Sequence, residues 1–306
     1  MREAWAQVLS IGFEGMKKGS RVVILGGSGF IGRNLAKHLV GNGVEVKAVS
    51  SAELNLCEPQ ATDALGRLIK KEDALVMASA ITPDKGREPR IQMKNFLMGQ
   101  TLCDFLEKSP CLHVVYLSSD AVYDDGLNVV NESAPPAPSS FYGITRLWCE
   151  RMLTDVLKKT GTPLLILRPS IIYGSDDTHN SYGPNRFFRT AVAAQKIVLF
   201  GNGEEKRDHV FVKDVCRFMA RCLGHQSRGV LNIATGHSVS FGEIAAKIQE
   251  LFQGKLKIEP TPRVNPITHR HFDSARLIEA FPDFRFTPLE KGLAETFKEI
   301  QKGVTG

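Results

Sequence analysis

Apolar positions along the chain recur with two alternating periods. Residues 22–25 form a short β-branched run of the kind that makes a fully buried strand, and from Phe30 the spacing turns helical, with Ile31, Leu35 and Leu39 on one stripe. Gly41-Asn42-Gly43 stops that helix, and 44–49 predicts the next strand. Leu54-Asn55-Leu56 predicts a short third strand. Pro59 then opens a helix with Ala61, Leu65, Leu68 and Ile69 inward, and 74–80 predicts a fourth strand ending in small residues. Residues 90–108 read as a long helix and 113–117 as a fifth strand. After a Pro/Ser-rich loop at 131–140, 141–160 reads as a second long helix and 164–167 as a sixth buried strand. Alternation of strand and helix means right-handed crossovers and a parallel sheet covered on both faces, an α/β doubly wound fold.

The last third is less regular. Residues 175–186 have loop composition, 187–195 suit a short helix, and 197–200 and 209–212 read as strands around the turn Gly201-Asn202-Gly203. Residues 230–234 suit another core strand. Ser240 with Glu243, and Thr287 with Glu290, predict capping boxes for two final helices. This mixture predicts a smaller lobe assembled from separated segments.

Composition narrows the field. The 306 residues suit one large α/β domain with such a lobe. The six cysteines form no CxxC pair and sit mostly in apolar periodic segments, which reads as reduced, cytoplasmic packing residues with no disulfides and no metal site. No apolar run approaches the roughly 20 residues that span a bilayer, so no membrane role is expected. The net charge of +6 is spread through helices without a basic run, which speaks against nucleic acid and suits steering of a small anionic ligand.

The chemistry begins at the first strand-to-helix junction, where Gly26, Gly29 and Gly32 fall. A strand turning sharply into a helix needs residues without a Cβ, so that backbone can approach a pyrophosphate lying on the helix N-terminus. The second strand of such a fold ends at the adenosine ribose, where a carboxylate accepts from the 2′-hydroxyl of NAD. Here Ser50 and Ser51 stand, with no carboxylate to repel a 2′-phosphate and no arginine to grip one, so the cofactor is NAD or NADP with a slight lean to NADP. Tyr142 and Arg146 share one helix face at i and i+4, and a cation beside a phenol favours proton transfer through it. The predicted division is a dinucleotide-binding domain over 20–174 with 209–234 returning to it, and a substrate-binding lobe from 175–208 and 235–306. Residues 1–19 are read as an N-terminal extension, with Met16 as an alternative start.

Taken together, from residue 20 to about 298, these segments resemble the extended short-chain dehydrogenase/reductase family of nucleotide-sugar epimerases, dehydratases and ketoreductases. Asn95-Phe-Leu-Met-Gly-Gln-Thr101 is similar to the family's Asn-xxx-Gly-Thr helix, Ser118-Ser119 before Val122-Tyr123 to its catalytic-serine strand, and Tyr142-Gly-Ile-Thr-Arg146 to its YxxxK. Phe200-Gly-Asn-Gly203 with Arg207-Asp-His-Val-Phe-Val-Lys-Asp214 resembles the segment that grips the substrate diphosphate. The resemblance implies an NAD(P)(H)-dependent enzyme, commonly a homodimer through its two long helices. It assigns Tyr142, with Arg146, to proton transfer and Ser119 to the reacting sugar oxygen. It places the cofactor against Gly26, Ser28, Gly29, Phe30, Ile31, Gly32, Ser50, Asn55, Leu56, Ala78, Ser79, Ala80, Asn95, Tyr142, Arg146, Pro169 and Ile171. Substrate would meet Ser119, Asp120, Arg207 and either Arg270 or Arg263.

Four departures qualify that assignment. The YxxxK lysine is Arg146, the second-strand carboxylate is absent, Ile171 stands where the strand-six motif usually has Asn, and the dehydratases' Thr-Asp-Glu reads Ser119-Asp120-Ala121. Without an acid at 121 a standard 4,6-dehydratase is disfavoured, leaving epimerase or 4-ketoreductase. The contrasting expectation, motivated by Arg146, is a cofactor-binding protein with weakened or lost catalysis that serves as a structural or redox-sensing partner.

Overall fold

The structure is a computed structural model that describes residues 21–177, 179 and 182–304. The expected N-terminal extension, the alternative start and three residues of the 175–186 loop lie outside the described residues. The elements in chain order are β1 (Arg21–Leu25), α1 (Phe30–Gly41), β2 (Glu45–Val49), α2 (Ala61–Leu68), β3 (Ala74–Met77), α3 (Pro89–Lys108), β4 (His113–Leu117), β5 (Val129–Val130), α4 (Phe141–Thr160), β6 (Leu164–Pro169) and β7 (Ile171–Tyr173). They continue with α5 (Pro184–Ala194), β8 (Lys196–Phe200), β9 (Lys206–Phe211), α6 (Val212–Gly224), β10 (Gly229–Ile233), β11 (Ser238–Ser240), α7 (Phe241–Leu251), β12 (Lys257–Thr261), β13 (His271–Phe272), α8 (Ala275–Ala280) and α9 (Leu289–Val304).

Six strands form one parallel sheet in the order β10-β6-β4-β3-β1-β2. Successive side chains of β1 face opposite sides, so Val22 and Ile24 enter one apolar layer with α1 and α6, and Val23 and Leu25 enter another with α2, α3 and α4. This is a Rossmann-type arrangement. Its strand order reverses beside β1, and ligands of such sheets bind in the crevice outside the carboxyl ends of the strands there.

Several expected elements differ. Leu54-Asn55-Leu56 is not a strand: the amides of Glu53 and Leu54 turn back onto the Ser50 carbonyl, and Asn55 Oδ1 accepts from the Cys57 amide, so the segment coils into consecutive turns instead of extending the sheet beyond β2. β3 ends at Met77, leaving Ala78, Ser79 and Ala80 in a loop. α2 begins at Ala61 rather than at Pro59, and α5 begins three residues early, at Pro184. β9 stops at Phe211, and Val212 opens α6, a helix absent from the expected elements although Val215, Met219 and Cys222 keep helical spacing. The Ser240–Glu243 capping box forms in full. The Thr287–Glu290 box does not, because the Thr287 amide and hydroxyl both donate to Asp214 (2.6 and 2.8 Å) while Glu290 pairs with Lys247 (2.6 Å).

β7, β9 and β11 make a small second sheet, and β8 with β12 another. Buried Asp208 joins these parts to the main sheet. Its carboxylate accepts from Ser170 after β6, from Thr235 and from the amides of Gly236 and His237 after β10, at 2.8–3.1 Å. Among the described residues no helix is long and apolar enough to cross a membrane, and no His/Cys/Asp/Glu group could hold a metal ion.

Candidate active site

The glycine turn divides its work. A Cβ at Gly32 would lie 2.2 Å from the Gly26 carbonyl oxygen, and one at Gly26, whose φ is +87°, would lie 2.7 Å from the Ser79 amide nitrogen. These two glycines let β1, α1 and the loop after β3 meet. A Cβ at Gly29 would touch only the Gly26 oxygen, at 3.2 Å; Ser28 and Gly29 are exposed, and no side chain caps the amino end of α1. Uncapped first-turn amides with room in front of them suit the pyrophosphate of a dinucleotide.

Next along the sheet edge, the amides of Gly26 and Gly27 both donate to the Val49 carbonyl, which sets the end of β2 beside the turn. The sequence places no carboxylate at the carboxyl end of the strand, since Glu45 lies at its start, yet the fold returns one. Glu53 folds back so that Oε2 accepts from the Ser50 amide (2.8 Å) and hydroxyl (2.9 Å) and Oε1 from Lys47 (3.1 Å). The Ser50 amide above all, then Lys47 and the Ser50 hydroxyl, bring its carboxyl down to about 2.

Asn95 and Thr101 of α3 act as anchors. The Asn95 side chain brackets Ile81, accepting from its amide (2.8 Å) and donating to its carbonyl (2.9 Å), which fixes the loop containing Ala78–Ala80. Thr101 donates to the Leu56 carbonyl (2.9 Å) and so holds the Asn55–Leu56 segment. Asn55 itself closes its own turn and bonds Glu58.

The centre of the site is where α4 meets the turn after β4. A Cβ at Gly143 would stand 2.0 Å from the Ala121 oxygen, so only glycine lets α4 seat there and carry Tyr142 alongside Ser119–Ala121. Ser119 Oγ accepts from the Ala121 amide (3.1 Å) and lies 3.3 Å from Asp120 Oδ1. Tyr142 is half-buried, and among the described residues its hydroxyl has no hydrogen-bond partner. Arg146 is only 3% exposed. Its guanidinium carbon sits 5.1 Å from the Tyr142 ring centroid and 5.8 Å from that of Tyr116, and Nη1 donates to the Tyr116 hydroxyl at 3.0 Å. Nε and Nη2 are buried without a hydrogen-bond partner among the described residues. Burial opposes the guanidinium charge, but the phenols of Tyr116 and Tyr142 hold its pKa above the ordinary arginine value. An orphaned pair of buried donors on a cation is costly unless a ligand meets them, and a ribose with its hydroxyls fits that need.

Behind this centre lies a sealed polar network. Arg168 makes a fork to Glu150 (Nε to Oε1 2.9 Å, Nη2 to Oε2 2.5 Å), Ser118 donates to the same carboxylate (2.5 Å), and Arg168 Nη1 donates to the Tyr123 hydroxyl (2.9 Å), which meets Asn232 Oδ1 at 2.8 Å. These groups join β4, α4, β6 and β10 under Pro169 and Ile171.

The candidate substrate residues fall into one cluster. Arg270, buried, donates to the Asp120 carbonyl and carboxylate (3.2 and 3.3 Å), the Asp124 carbonyl (2.9 Å) and Asp125 (3.2 Å). Burial raises the Asp120 pKa and Arg270 opposes that rise. Arg207 donates to Glu205 (3.0 Å), to Thr268 Oγ1 (2.9 Å) and to the Thr268 carbonyl, and burial lowers its pKa. Arg263 donates to Glu205 (3.2 Å), to Glu204 (3.3 Å) and to the Phe200 carbonyl (3.1 Å). The structure therefore brings the predicted residues to one edge of the sheet, and adds Tyr116, Glu53, Glu205 and Thr268, which reading along the sequence missed. Only Tyr116, two residues before Ser118, carried a local hint.

Comparisons with known proteins agree with this fold. A family model described as the NAD dependent epimerase/dehydratase family matches residues 22–234, and the chain belongs to that family. A 4-hydroxy-2-methyl-3-oxo-4-farnesyl-3,4-dihydroquinoline-1-oxide ketoreductase from Stigmatella aurantiaca is 30% identical over 174 residues, spanning 52% of this chain and 52% of that protein, about half the length of each. A UDP-glucose 4-epimerase from Thermotoga maritima solved with UDP-glucose superposes with a TM-score of 0.82 at 21% identity, covering 93% of this chain and 99% of that one. An epimerase from Methanothermobacter thermautotrophicus gives 0.85 at 18% identity over 96% and 95%.

Proposed function

We propose that the protein is an NAD(P)-dependent enzyme that epimerises or reduces a nucleotide-diphosphate sugar at a ring carbon. The observation that carries this reading is the buried Arg146 cation against the ring of Tyr142, beside Ser119 at the carboxyl end of β4. A nicotinamide cofactor, held by the glycine turn and Arg146, would supply the hydride chemistry. Tyr142 moves the proton on the oxygen of the reacting carbon, Ser119 hydrogen-bonds that oxygen, and Arg146 keeps a fixed positive charge against the Tyr142 ring without itself exchanging a proton. Arg207, with Arg263 or Arg270, holds the substrate's phosphates. Dehydration is disfavoured because Ala121 offers no acid and Asp120 is committed to Arg270.

A second reading, reduction of a ketone that carries no diphosphate, is favoured by one observation: Glu205 already neutralises Arg207 and Arg263. The relative named as a quinoline-oxide ketoreductase is compatible with it. A panel of nucleotide sugars and uncharged cyclic ketones, followed by NADH absorbance and product chromatography, separates the two. Turnover of a nucleotide sugar that falls at least about a hundredfold in Tyr142→Phe supports the first. Cofactor binding with no turnover of any compound would leave a cofactor-binding scaffold.

A further inference from the structure

Glu205 holds an unusual position for a carboxylate. It lies in the short stretch between β8 and β9, and its main chain is fixed where its carbonyl accepts from the Phe241 amide (3.1 Å). Oε1 accepts from Arg207 Nη2 and from Thr268 Oγ1, both at 3.0 Å, and Oε2 accepts from Arg263 Nη1 at 3.2 Å. Two guanidinium groups and a hydroxyl converging on two oxygens is the donor set that binds a phosphate. Arg263 and Thr268 both come from the irregular segment between β12 and β13, so Glu205 also ties that segment to the start of β9. The wider cluster sets the carboxylates of Glu204, Glu205, Asp120 and Asp125 against only Arg207, Arg263 and Arg270. The three cations are thus already matched by carboxylates, with one carboxylate in excess, before any ligand arrives. A diphosphate entering with Glu205 in place would meet a carboxylate at contact distance.

We propose that Glu205 is an internal stand-in for a substrate phosphate, and that a nucleotide diphosphate binds by displacing it from Arg207 and Arg263. This rests on the reading of the substrate as a nucleotide-diphosphate sugar. The exchange makes Glu205 a determinant of specificity: it discriminates against weakly charged ligands that cannot compete for two arginines, and it sets the affinity for those that can. Displacement frees Arg263 and one face of Arg207 for the new anion, while Thr268 stays tied to β9 through Arg207.

The test uses the purified full chain with NAD added and UDP as probe, followed by calorimetry. Glu205→Gln keeps the shape and removes the charge. It is expected to bind UDP about tenfold more tightly or better, with the gain shrinking as salt rises, while uridine, which has no phosphate, binds both proteins alike. Should the glutamine variant fail to fold, Glu205→Ala carries the same expectation. An unchanged or weaker UDP affinity in these variants overturns the proposal, as does failure of UDP to bind either the wild type or the variant. If UDP binds as expected but no nucleotide sugar is turned over, the assigned reaction fails while the role of Glu205 stands.

Discussion

Arg146 Nη1 donates to the hydroxyl of Tyr116, 30 residues earlier in the chain, at 3.0 Å, in a place no solvent reaches. That bond fixes the plane of the guanidinium and leaves Nε and Nη2 as the donors without partners. The phenol thereby decides which face of the cation is available to a ligand.

Tyr116 is therefore expected to position Arg146. Tyr116→Phe should weaken NADH binding several-fold in the wild type, measured by nicotinamide fluorescence, and should have almost no effect in an Arg146→Lys background, where no fork remains to be oriented. Equal losses in both backgrounds would mean a purely packing role for the phenol.

The glycines separate ligand contact from backbone contact. Gly29→Val is expected to abolish NAD(P) binding while the protein melts near the wild-type temperature, because the added carbons enter the open space before α1. Gly32→Val should instead unfold or strongly destabilise the chain, since its Cβ would lie 2.2 Å from a main-chain oxygen. Calorimetric titration with thermal melts distinguishes the two.

Glu53 bears on cofactor choice. Its carboxylate occupies the Ser50 amide, Ser50 hydroxyl and Lys47 ammonium, a donor set that would otherwise suit a 2′-phosphate. Removing it in Glu53→Ala should raise the affinity for NADPH relative to NADH by about tenfold or more, read from paired titrations. An unaltered ratio would place the ribose elsewhere.

Acid sensitivity is expected from two buried imidazoles. Burial lowers His113 to about 4, against the pull of the Ser227 carbonyl 2.8 Å away, and lowers His209 to about 3. The unfolded chain takes these protons below about pH 6.5 while the folded form refuses them, so stability is full above 6.5 and is lost as pH falls towards 4. For His113 the loss between pH 7 and pH 5 is about 2 kcal/mol. Urea titrations should show a correspondingly flatter pH profile in His113→Gln.

Two outer helix faces invite self-association. Met93 and Leu97 on α3, and Phe141 and Ile144 on α4, are exposed, and the two helices pack against each other where a Cβ at Gly99 would strike Cys149. A homodimer through this surface is expected, and Leu97→Glu should shift light scattering from dimer to monomer at micromolar concentration.

What the sequence determined by itself was whatever depends on neighbours along the chain. The run 22–25, the glycine spacing after it, the stripe of α1 and the Ser240–Glu243 box act over a few residues, and each formed. The order of Tyr142 and Arg146 on one helix was equally local. Only the tertiary structure decided how charges found partners. Leu54–Leu56 had strand composition, but the turn at Ser50 took the amides of Glu53 and Leu54, and the same turn brought a carboxylate to the end of β2, where the chain itself offers Ser50 and Ser51. Arg207 reads as a free phosphate ligand until the fold brings in Thr268 and shares Glu205 with Arg263, 58 residues away. Thr287 reads as a helix cap until Asp214 arrives with two acceptors. Backbone propensity is settled within a turn or two of chain. The partner of a charge is whichever opposite charge folding leaves within about 3 Å, and no local pattern records that distance.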